Sequence, residues 1–319
     1  MADAGDGDER GGRDGCRGER GTMMTTPDQG TPDGGLIRQV VFRPLTGDDL
    51  DAAPPWFAQI ELRADRWRDA DTRAAVAVLD GEVVAAGVLF TSRAHVDRYW
   101  VDIVVDPARR RRGLGRAMLA HLTALRGRGI PLMTRGYVDE ERIAFAFAVG
   151  ARTIQIVPPS TVSTAGRDAL RPHPAVVPAA ALPFAQVLSA HADMYEWIHR
   201  SWSPVSPGFA EVVNAGLDDE LDRQASAVAV VDGRPVALAA VYRDVDPPIV
   251  CAETTRPDVA DGERLVEGCL RHALDTMADR GAARVEFDGH VSDPHLMPNW
   301  AKLAPSGRWF LLVEVPAEC

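Results

Sequence analysis

The stretch "VVDPARRRRGLGRAML", Val104–Leu119, places four consecutive arginines directly before a Gly-Leu-Gly step. It follows the β-rich run "RYWVDIVVD", and apolar residues then recur at helical spacing from Leu114 to Leu125, which predicts strand, loop and helix. The first N–H groups of a helix are unpaired and attract anions. Because Gly113 and Gly115 have no side chains, an anion can reach these groups, and the arginines add charge. The pattern therefore predicts a phosphate-binding loop, with a basic turn capped by glycine as the alternative.

The composition of the chain excludes several classes of protein. The chain has 319 residues, a net charge of −11 and 46% hydrophobic residues, which predicts folded cores in two domains or one large domain. Its acidity argues against nucleic-acid binding and favours an amine partner. There is no apolar run of membrane-spanning length and no apolar leader, so we expect a cytoplasmic protein without membrane contact. The four cysteines are far apart, which fits neither a zinc site nor a disulfide framework.

The first half of the chain has an alternating order of elements. Residues 1–36 are polar and rich in glycine, and we expect a disordered tail. "IRQVVFRPL" predicts the first strand, and Asp80-Gly81 between two β-rich runs predicts a hairpin. With the segments that follow, the predicted order is β-α-α-β-β-β-α-β-α-β.

The second half of the chain repeats the first. "AVAVVDGRPVA" at residues 227–237 matches "AVAVLDGEVVA" at 75–85 in eight of eleven positions, an offset of 152. The same offset relates an apolar helix stripe in each half, so we predict two tandem copies of one fold. The expected boundaries are 37–160 for the first domain, 161–180 for a linker and 181–319 for the second domain.

The loop also resembles a known family signature. Arg110–Gly115 reads R-x-x-G-x-G and follows V-x-P at Val105 and Pro107, which resembles the acetyl-CoA signature of the GNAT superfamily of N-acetyltransferases. The order of elements over residues 37–157 resembles that fold as well. The resemblance implies an α/β (α+β mixed sheet) protein with two tandem GNAT-like acetyltransferase domains, of an actinobacterial type.

The resemblance also implies a cofactor site without a metal. Backbone groups of the central strand would hold the pantetheine arm and the oxyanion, and the loop would hold the pyrophosphate. Two further positions match the family's last helix. The implied acetyl-CoA residues are Ile103, Val104, Val105, Arg110, Arg111, Arg112, Gly113, Leu114, Gly115, Arg116, Asp139 and Phe145.

The catalytic groups are less well defined. Tyr99 is placed where some family members carry a catalytic glutamate, and Asp97, on the same face, would act through water; a half-buried strand aromatic is the alternative for Tyr99. Where many members carry a tyrosine acid, this chain has Ala146. Tyr137 is the nearby substitute, unless the thiolate leaves without an acid.

Two further segments have structural explanations. "DGHVSDPHLMPNW", 288–300, contains two histidines and two aspartates, but their spacing matches no metal-site pattern, so we expect a polar loop. "MYEWIHRSW", 194–202, predicts a helix whose aromatic residues pack between the lobes or line a substrate wall.

The expected function is acetyl-CoA-dependent N-acetylation of a small-molecule amine in secondary metabolism, by a monomer or homodimer. The first lobe would be active. At offset 152 the loop becomes "GERLVE", 262–267, in which Glu267 replaces Gly115, so the second lobe is expected to be degenerate. The alternatives are another acyl-CoA or acceptor atom, and a non-catalytic acyl-CoA sensor or scaffold.

Overall fold

Two mixed β-sheets organise the chain. The computed structural model describes residues 39–243 and 245–316, so the expected tail at 1–36 lies outside the described residues. The strands are β1 (Val41–Pro44), β2 (Arg73–Leu79), β3 (Glu82–Thr91), β4 (Tyr99–Val105), β5 (Leu132–Tyr137), β6 (Arg152–Val157), β7 (Thr161–Ser163), β8 (Val176–Pro178), β9 (Ala227–Val231), β10 (Arg234–Tyr242), β11 (Ile249–Thr254), β12 (Arg284–Asp288) and β13 (Phe310–Val315). The α-helices are α1 (Gly47–Asp51), α2 (Leu114–Ala124), α3 (Glu141–Ala148), α4 (Phe184–His199), α5 (Phe209–Val213), α6 (Leu217–Glu220), α7 (Gly262–Asp279) and α8 (Leu296–Lys302).

The first sheet has the order β1-β2-β3-β4-β5-β13-β6. The α/β fold class is confirmed, and so is the predicted order of elements in the first half, except that the second predicted helix is the 3₁₀ helix Pro55–Gln59. The sequence analysis did not place β13, which lies between β5 and β6 and is antiparallel to both. We refer to residues 39–157 together with β13 as the first lobe, and to residues 158–309 as the second lobe.

The second sheet has the order β7-β12-β11-β10-β9-β8. Both of its edge strands, β7 and β8, come from the segment 161–180 that the sequence suggested as a linker. Three-residue strands are too short to show a periodic pattern, which is why this segment resembles a linker. Each sheet therefore contains chain that the predicted boundaries assign elsewhere.

The two hairpins confirm the internal repeat. Ala77 pairs with Ala85 in the first sheet, and Ala229 pairs with Ala237 in the second, at the predicted offset of 152. The predicted turn at Asp80-Gly81 has φ values of 53° and 84°, and the corresponding turn at 232–233 has 51° and 74°. Positive φ at both central residues is the conformation that Asp-Gly favours in a tight hairpin.

The alignment changes after the hairpins. Ala85 pairs with Val105, whereas Ala237 pairs with Thr254, so the offset becomes 149 on the next strand. Helix α7 accordingly begins at Gly262, where a constant offset of 152 would place the loop. The residues 262–267 therefore form the first turns of a helix, which corrects the expected correspondence. With this register, Cys251 occupies the position of Asp102.

Helix α4 connects the lobes, as predicted for the aromatic segment 194–202. The Tyr195 hydroxyl lies 2.7 Å from His95 Nε2 of the first lobe, and Arg98 Nη1 donates to the Trp202 carbonyl oxygen at 2.8 Å. Burial lowers the pKa of His199 to about 3, with a smaller contribution from the neighbouring imidazoles of His290 and His95. The His199 imidazole is therefore a neutral packing group between the lobes near neutral pH.

None of the helices in the described part of the chain is long and apolar enough to cross a lipid bilayer.

Candidate functional site

The first sheet opens between β4 and β5. These parallel strands pair only at Tyr99 with Leu132 and at Trp100 with Met133, although β4 continues to Val105 and β5 to Tyr137. Strands that stop pairing leave backbone groups without partners in the sheet. The gap beyond Trp100 is thus able to take up an extended ligand that pairs with the backbone.

The predicted phosphate loop lies beside this gap. Gly113 caps α2 with φ 81°, a conformation that favours glycine, and no side chain caps this helix end. The backbone at Arg111 is also left-handed, with φ 62°. The first hydrogen bond of the helix runs from the Ala117 N–H to the Gly113 carbonyl oxygen at 3.0 Å. The backbone N–H groups of residues 114–116 therefore have no partner within the helix. We call the loop and helix end, residues 110–116, the cradle; its binding of an anion stays a prediction.

Phe145 of α3 closes one side of the cradle. A Cβ atom built on Gly115 would lie 3.3 Å from the Phe145 ring, closer than ordinary van der Waals contact. The absence of a side chain at Gly115 therefore lets α2 and α3 pack closely, and the predicted approach of a ligand to its backbone stays a prediction. The predicted positions Gly115 and Phe145 are brought together by the fold.

The four predicted arginines divide into two pairs. Arg110 forms an ion pair with Glu141 and donates to Gln59 at 2.9 Å, while Arg116 donates to the Ala148 carbonyl oxygen at 2.7 Å. These two arginines join neighbouring elements to the cradle. Arg111 and Arg112 are exposed, and neither forms an ion pair within the described residues. The free cationic charge therefore comes from Arg111 and Arg112.

Asp139 pairs with a residue outside the cradle. Its carboxylate accepts a hydrogen bond from Arg308 at 3.1 Å, and Glu140, not Asp139, occupies the N-cap position of α3. Arg308 lies just before β13, a strand that the sequence analysis did not place in the first sheet. The predicted role of Asp139 at the cofactor therefore has no support in its contacts.

Tyr99 lies in the core, with no exposed surface, among apolar residues of α2 and β5. Its hydroxyl has no hydrogen-bond partner in the described structure, so it has no relay for a proton. Asp97 pairs with Arg98 and accepts from Ser203 Oγ at 3.1 Å, which fixes the contact between the lobes. The geometry therefore argues against both residues as the base and favours the strand-aromatic alternative for Tyr99.

Tyr137 lies on β5, beyond the last β4–β5 pair. It is half-buried, with the Arg308 guanidinium 3.7 Å from its ring centroid and the Phe310 ring 5.2 Å away, edge on. It thus remains the candidate acid from the sequence.

Asp102 is the carboxylate that the sequence analysis missed. It lies on β4 two residues beyond the last β4–β5 pair, with 22% of its side chain exposed. Its Oδ1 accepts from Thr134 Oγ1 of β5 at 3.0 Å and from Arg142 Nη1 of α3 at 3.1 Å. The sequence does show that Asp102 is the single carboxylate of β4. Strict alternation, however, placed its side chain on the sheet face opposite to Tyr99. The opening of the strands brings Asp102 into the gap.

The sheet face opposite α2 and α3, which we call the far face, is rich in aromatic side chains. Phe90 pairs with Trp100 across β3 and β4, and the Trp67 ring packs on Phe90 at 5.7 Å. Trp56 packs on Phe57 at 4.7 Å, in the cluster that contains Val104. All four of Trp56, Trp67, Phe90 and Trp100 are half-buried. The far face thus offers a partly exposed aromatic floor next to the gap.

The corresponding place in the second lobe is filled. Glu253 of β11 is fully buried and accepts from the backbone N–H of His295 at 3.0 Å and of Leu296 at 3.1 Å. A Cβ atom on Gly262 would lie 2.7 Å from the His295 ring, so this ring covers the start of α7. Glu263 adds a carboxylate at the same helix end. An anion would have to displace His295 there.

The polar loop at 288–300 supplies the side chain that occupies this helix end. His290 N–H donates to Asp293 at 2.6 Å, and His295 Nδ1 lies 2.6 Å from Glu253 Oε1. Within residues 39–243 and 245–316, no group of three or more histidine, cysteine or acidic residues is arranged to hold a metal ion.

Comparisons agree with this geometry. The sequence model of the acetyltransferase (GNAT) family matches residues 43–145, which include the gap and the cradle. No curated protein sequence matches the chain. A GCN5-related N-acetyltransferase from Sphaerobacter thermophilus has a TM-score of 0.58 at 14% identity, over 88% of this chain and 96% of that chain. A tandem GNAT protein from the clavulanic acid biosynthesis pathway has a TM-score of 0.55 at 17% identity, over 88% and 99%. Residues 43–145 therefore match the acetyltransferase (GNAT) family, and the chain has the fold of a tandem GNAT protein.

Proposed function

We propose that the chain transfers the acetyl group of acetyl-CoA to the nitrogen of a small-molecule amine, with the chemistry in the first lobe. The observation that carries the proposal is that one family-matching lobe combines an open strand gap with an uncapped helix end. The second lobe has the same strand and helix order, but His295 and Glu253 occupy its helix end. The second lobe therefore covers and completes the first.

The cofactor fits the first lobe in one orientation. The pyrophosphate binds the free N–H groups at the start of α2, where Arg111 and Arg112 supply charge. The pantetheine arm then enters the gap and pairs with the β4 backbone over 103–105. Phe145 forms the wall on the α3 side.

The backbone geometry favours one of the two candidate oxyanion donors. Tyr99 N–H bonds the Pro131 carbonyl oxygen at 2.9 Å, on the β5 side of the strand. N–H groups of alternate strand residues point in the same direction, so Ile103 N–H points into the gap and Val104 N–H points to β3. Of the two candidates from the sequence, we therefore propose Ile103 N–H as the donor that stabilises the tetrahedral intermediate.

Asp102 is our proposed base. The amine lone pair attacks the thioester carbonyl carbon, forming a C–N bond, and Asp102 receives the proton that the nitrogen loses, directly or through water. The intermediate then collapses, the C–S bond breaks, and CoA leaves as a thiolate. Tyr137 donates its proton to that thiolate, or the thiolate takes a proton from solvent.

A pair of variants tests the base. We expect Asp102→Asn to lower kcat by about 100-fold, within the usual range for a lost general base, with the acetyl-CoA Kd unchanged. Asparagine keeps an oxygen that accepts from Thr134. We expect Tyr99→Phe to change kcat less than about twofold, because the hydroxyl it removes is buried and has no partner. The opposite ranking in steady-state kinetics would return the role to Tyr99.

The proposed function has its own test in binding stoichiometry and thiol release. We expect calorimetry to show one acetyl-CoA per chain, and an amine panel to release CoA thiol. Two molecules per chain would contradict the filled second lobe. Binding without thiol release from any amine would instead support the non-catalytic sensor.

The biological setting is a further part of the proposal. Arginine outnumbers lysine by 34 to 1, a bias typical of GC-rich genomes. Together with the similar tandem GNAT protein from the clavulanic acid biosynthesis pathway, this supports a cytoplasmic role in actinobacterial secondary metabolism.

A further inference from the structure

Arg135 of β5 presents a cation next to the gap. Its guanidinium carbon lies 4.8 Å from the Trp100 ring centroid, and its side chain is exposed. Arg135 is two residues beyond Met133, just as Asp102 is two residues beyond Trp100, so both follow the last β4–β5 pair. A guanidinium stacked on an indole is held in place while its N–H edges stay free for hydrogen bonds.

Arg135 differs from the neighbouring arginines because no acid neutralises it. Arg98 and Arg152 both pair with Glu314, and Arg142 pairs with Asp102. In the part of the chain that the structure describes, Arg135 forms neither an ion pair nor a hydrogen bond to a side chain. Its charge is therefore available to a ligand on the far face.

The floor around Arg135 is apolar. The partly exposed rings of Trp56, Trp67, Phe90 and Trp100 continue from the stacked guanidinium along the far face. A ligand lying on this floor buries its carbon skeleton against rings and meets the free cation of Arg135, while Asp102 lies in the adjacent gap, paired with Arg142. The face is therefore complementary to a ligand that combines a carboxylate with an apolar body.

We propose that the acceptor is an amine that also carries a carboxylate, with an aromatic or large apolar body, as in an aromatic amino acid. The carboxylate binds the guanidinium of Arg135, the amine faces Asp102 and the thioester, and the body lies on the aromatic floor. This inference rests on the proposed function and adds the substrate class. Without a fixed cation, a substrate carboxylate would be repelled by the protein's net charge of −11.

Matched pairs of amines test the inference. Phenylalanine is compared with phenethylamine, tyrosine with tyramine and tryptophan with tryptamine, by thiol release from acetyl-CoA. We expect kcat/KM of the wild-type protein to favour the carboxylated member of at least one pair by about 10-fold or more, as for a charge-assisted hydrogen-bonded pair. Arg135→Gln should bring that ratio close to one through KM, and Arg135→Lys should retain part of it. Arg234→Gln, at an exposed arginine of the second lobe, is the control and should keep the wild-type ratio.

The outcomes separate the inference from the proposed function. A ratio that Arg135→Gln leaves unchanged, or a wild-type preference for the decarboxylated members, overturns the inference and leaves the transferase proposal intact. Acetyl-CoA binding with no turnover of any carboxylated member also overturns it. If calorimetry shows no acetyl-CoA binding, the proposed function fails, and the inference fails with it.

Discussion

Val313→Asp is expected to unfold the first lobe. Val313 lies in the middle of β13, has no exposed surface and packs in the core that contains Leu132 and Leu311. An unpaired carboxylate buried there costs about 3–5 kcal/mol or more, which is a large part of the 5–15 kcal/mol that stabilises a typical domain. Because β13 is the only described partner of β6, loss of β13 also detaches β6 from the sheet. Urea unfolding should show a much lower midpoint or no folded baseline.

The same substitution at an exposed strand residue is the control. Val231 ends β9 in the second lobe and is 40% exposed, so Val231→Asp should change the free energy of unfolding by less than about 1 kcal/mol. If both variants unfold at the same urea concentration as the wild type, β13 does not belong to the first sheet in solution.

Gly115→Glu is expected to abolish acetyl-CoA binding. The new carboxylate would lie at the uncapped start of α2, where we place the pyrophosphate, and its Cβ would press against Phe145. Repulsion between the carboxylate and two phosphates, added to the lost backbone approach, should raise the acetyl-CoA Kd by about 100-fold or more. Calorimetry gives the Kd directly.

Two controls separate the charge from the packing. Gly115→Ala adds only the Cβ and should raise the Kd by far less, with a small loss of stability from the Phe145 contact. Gly47→Glu adds the same charge at a position with no atom within 4 Å and should bind acetyl-CoA like the wild type. An unchanged Kd in a folded Gly115→Glu variant would show that the pyrophosphate binds elsewhere.

Local signals in the sequence were sufficient for much of the fold. Asp80-Gly81 predicted a hairpin because few residues accept positive φ at both turn positions, and the repeat at 227–237 identified the second copy. The uncapped helix end at Gly113 was predictable as well, because glycine accepts a positive φ and has no side chain to cap the helix. Each of these features depends on residues that are close together in the chain.

The features that were missed depend on distant contacts. Strand β13 pairs with residues about 180 positions earlier, and a six-residue run does not reveal its partner. Strict alternation placed Asp102 away from the Tyr99 face, and only the early end of the β4–β5 ladder shows that it meets Thr134. Arg110 and Arg116 resembled ligand residues because their partners on α3 are 31 and 32 positions away.

The position of β13 in the first sheet also determines which lobe can complete its fold first during synthesis. The ribosome releases β5 and β6 long before it reaches residue 310, so the nascent first lobe carries a β5 edge and a β6 segment that have no permanent partner. Unpaired strand edges invite pairing with other chains. The second lobe is translated during this interval, and its own edge strand β7 immediately follows β6 in the chain. The first lobe therefore completes its sheet last, although it is made first.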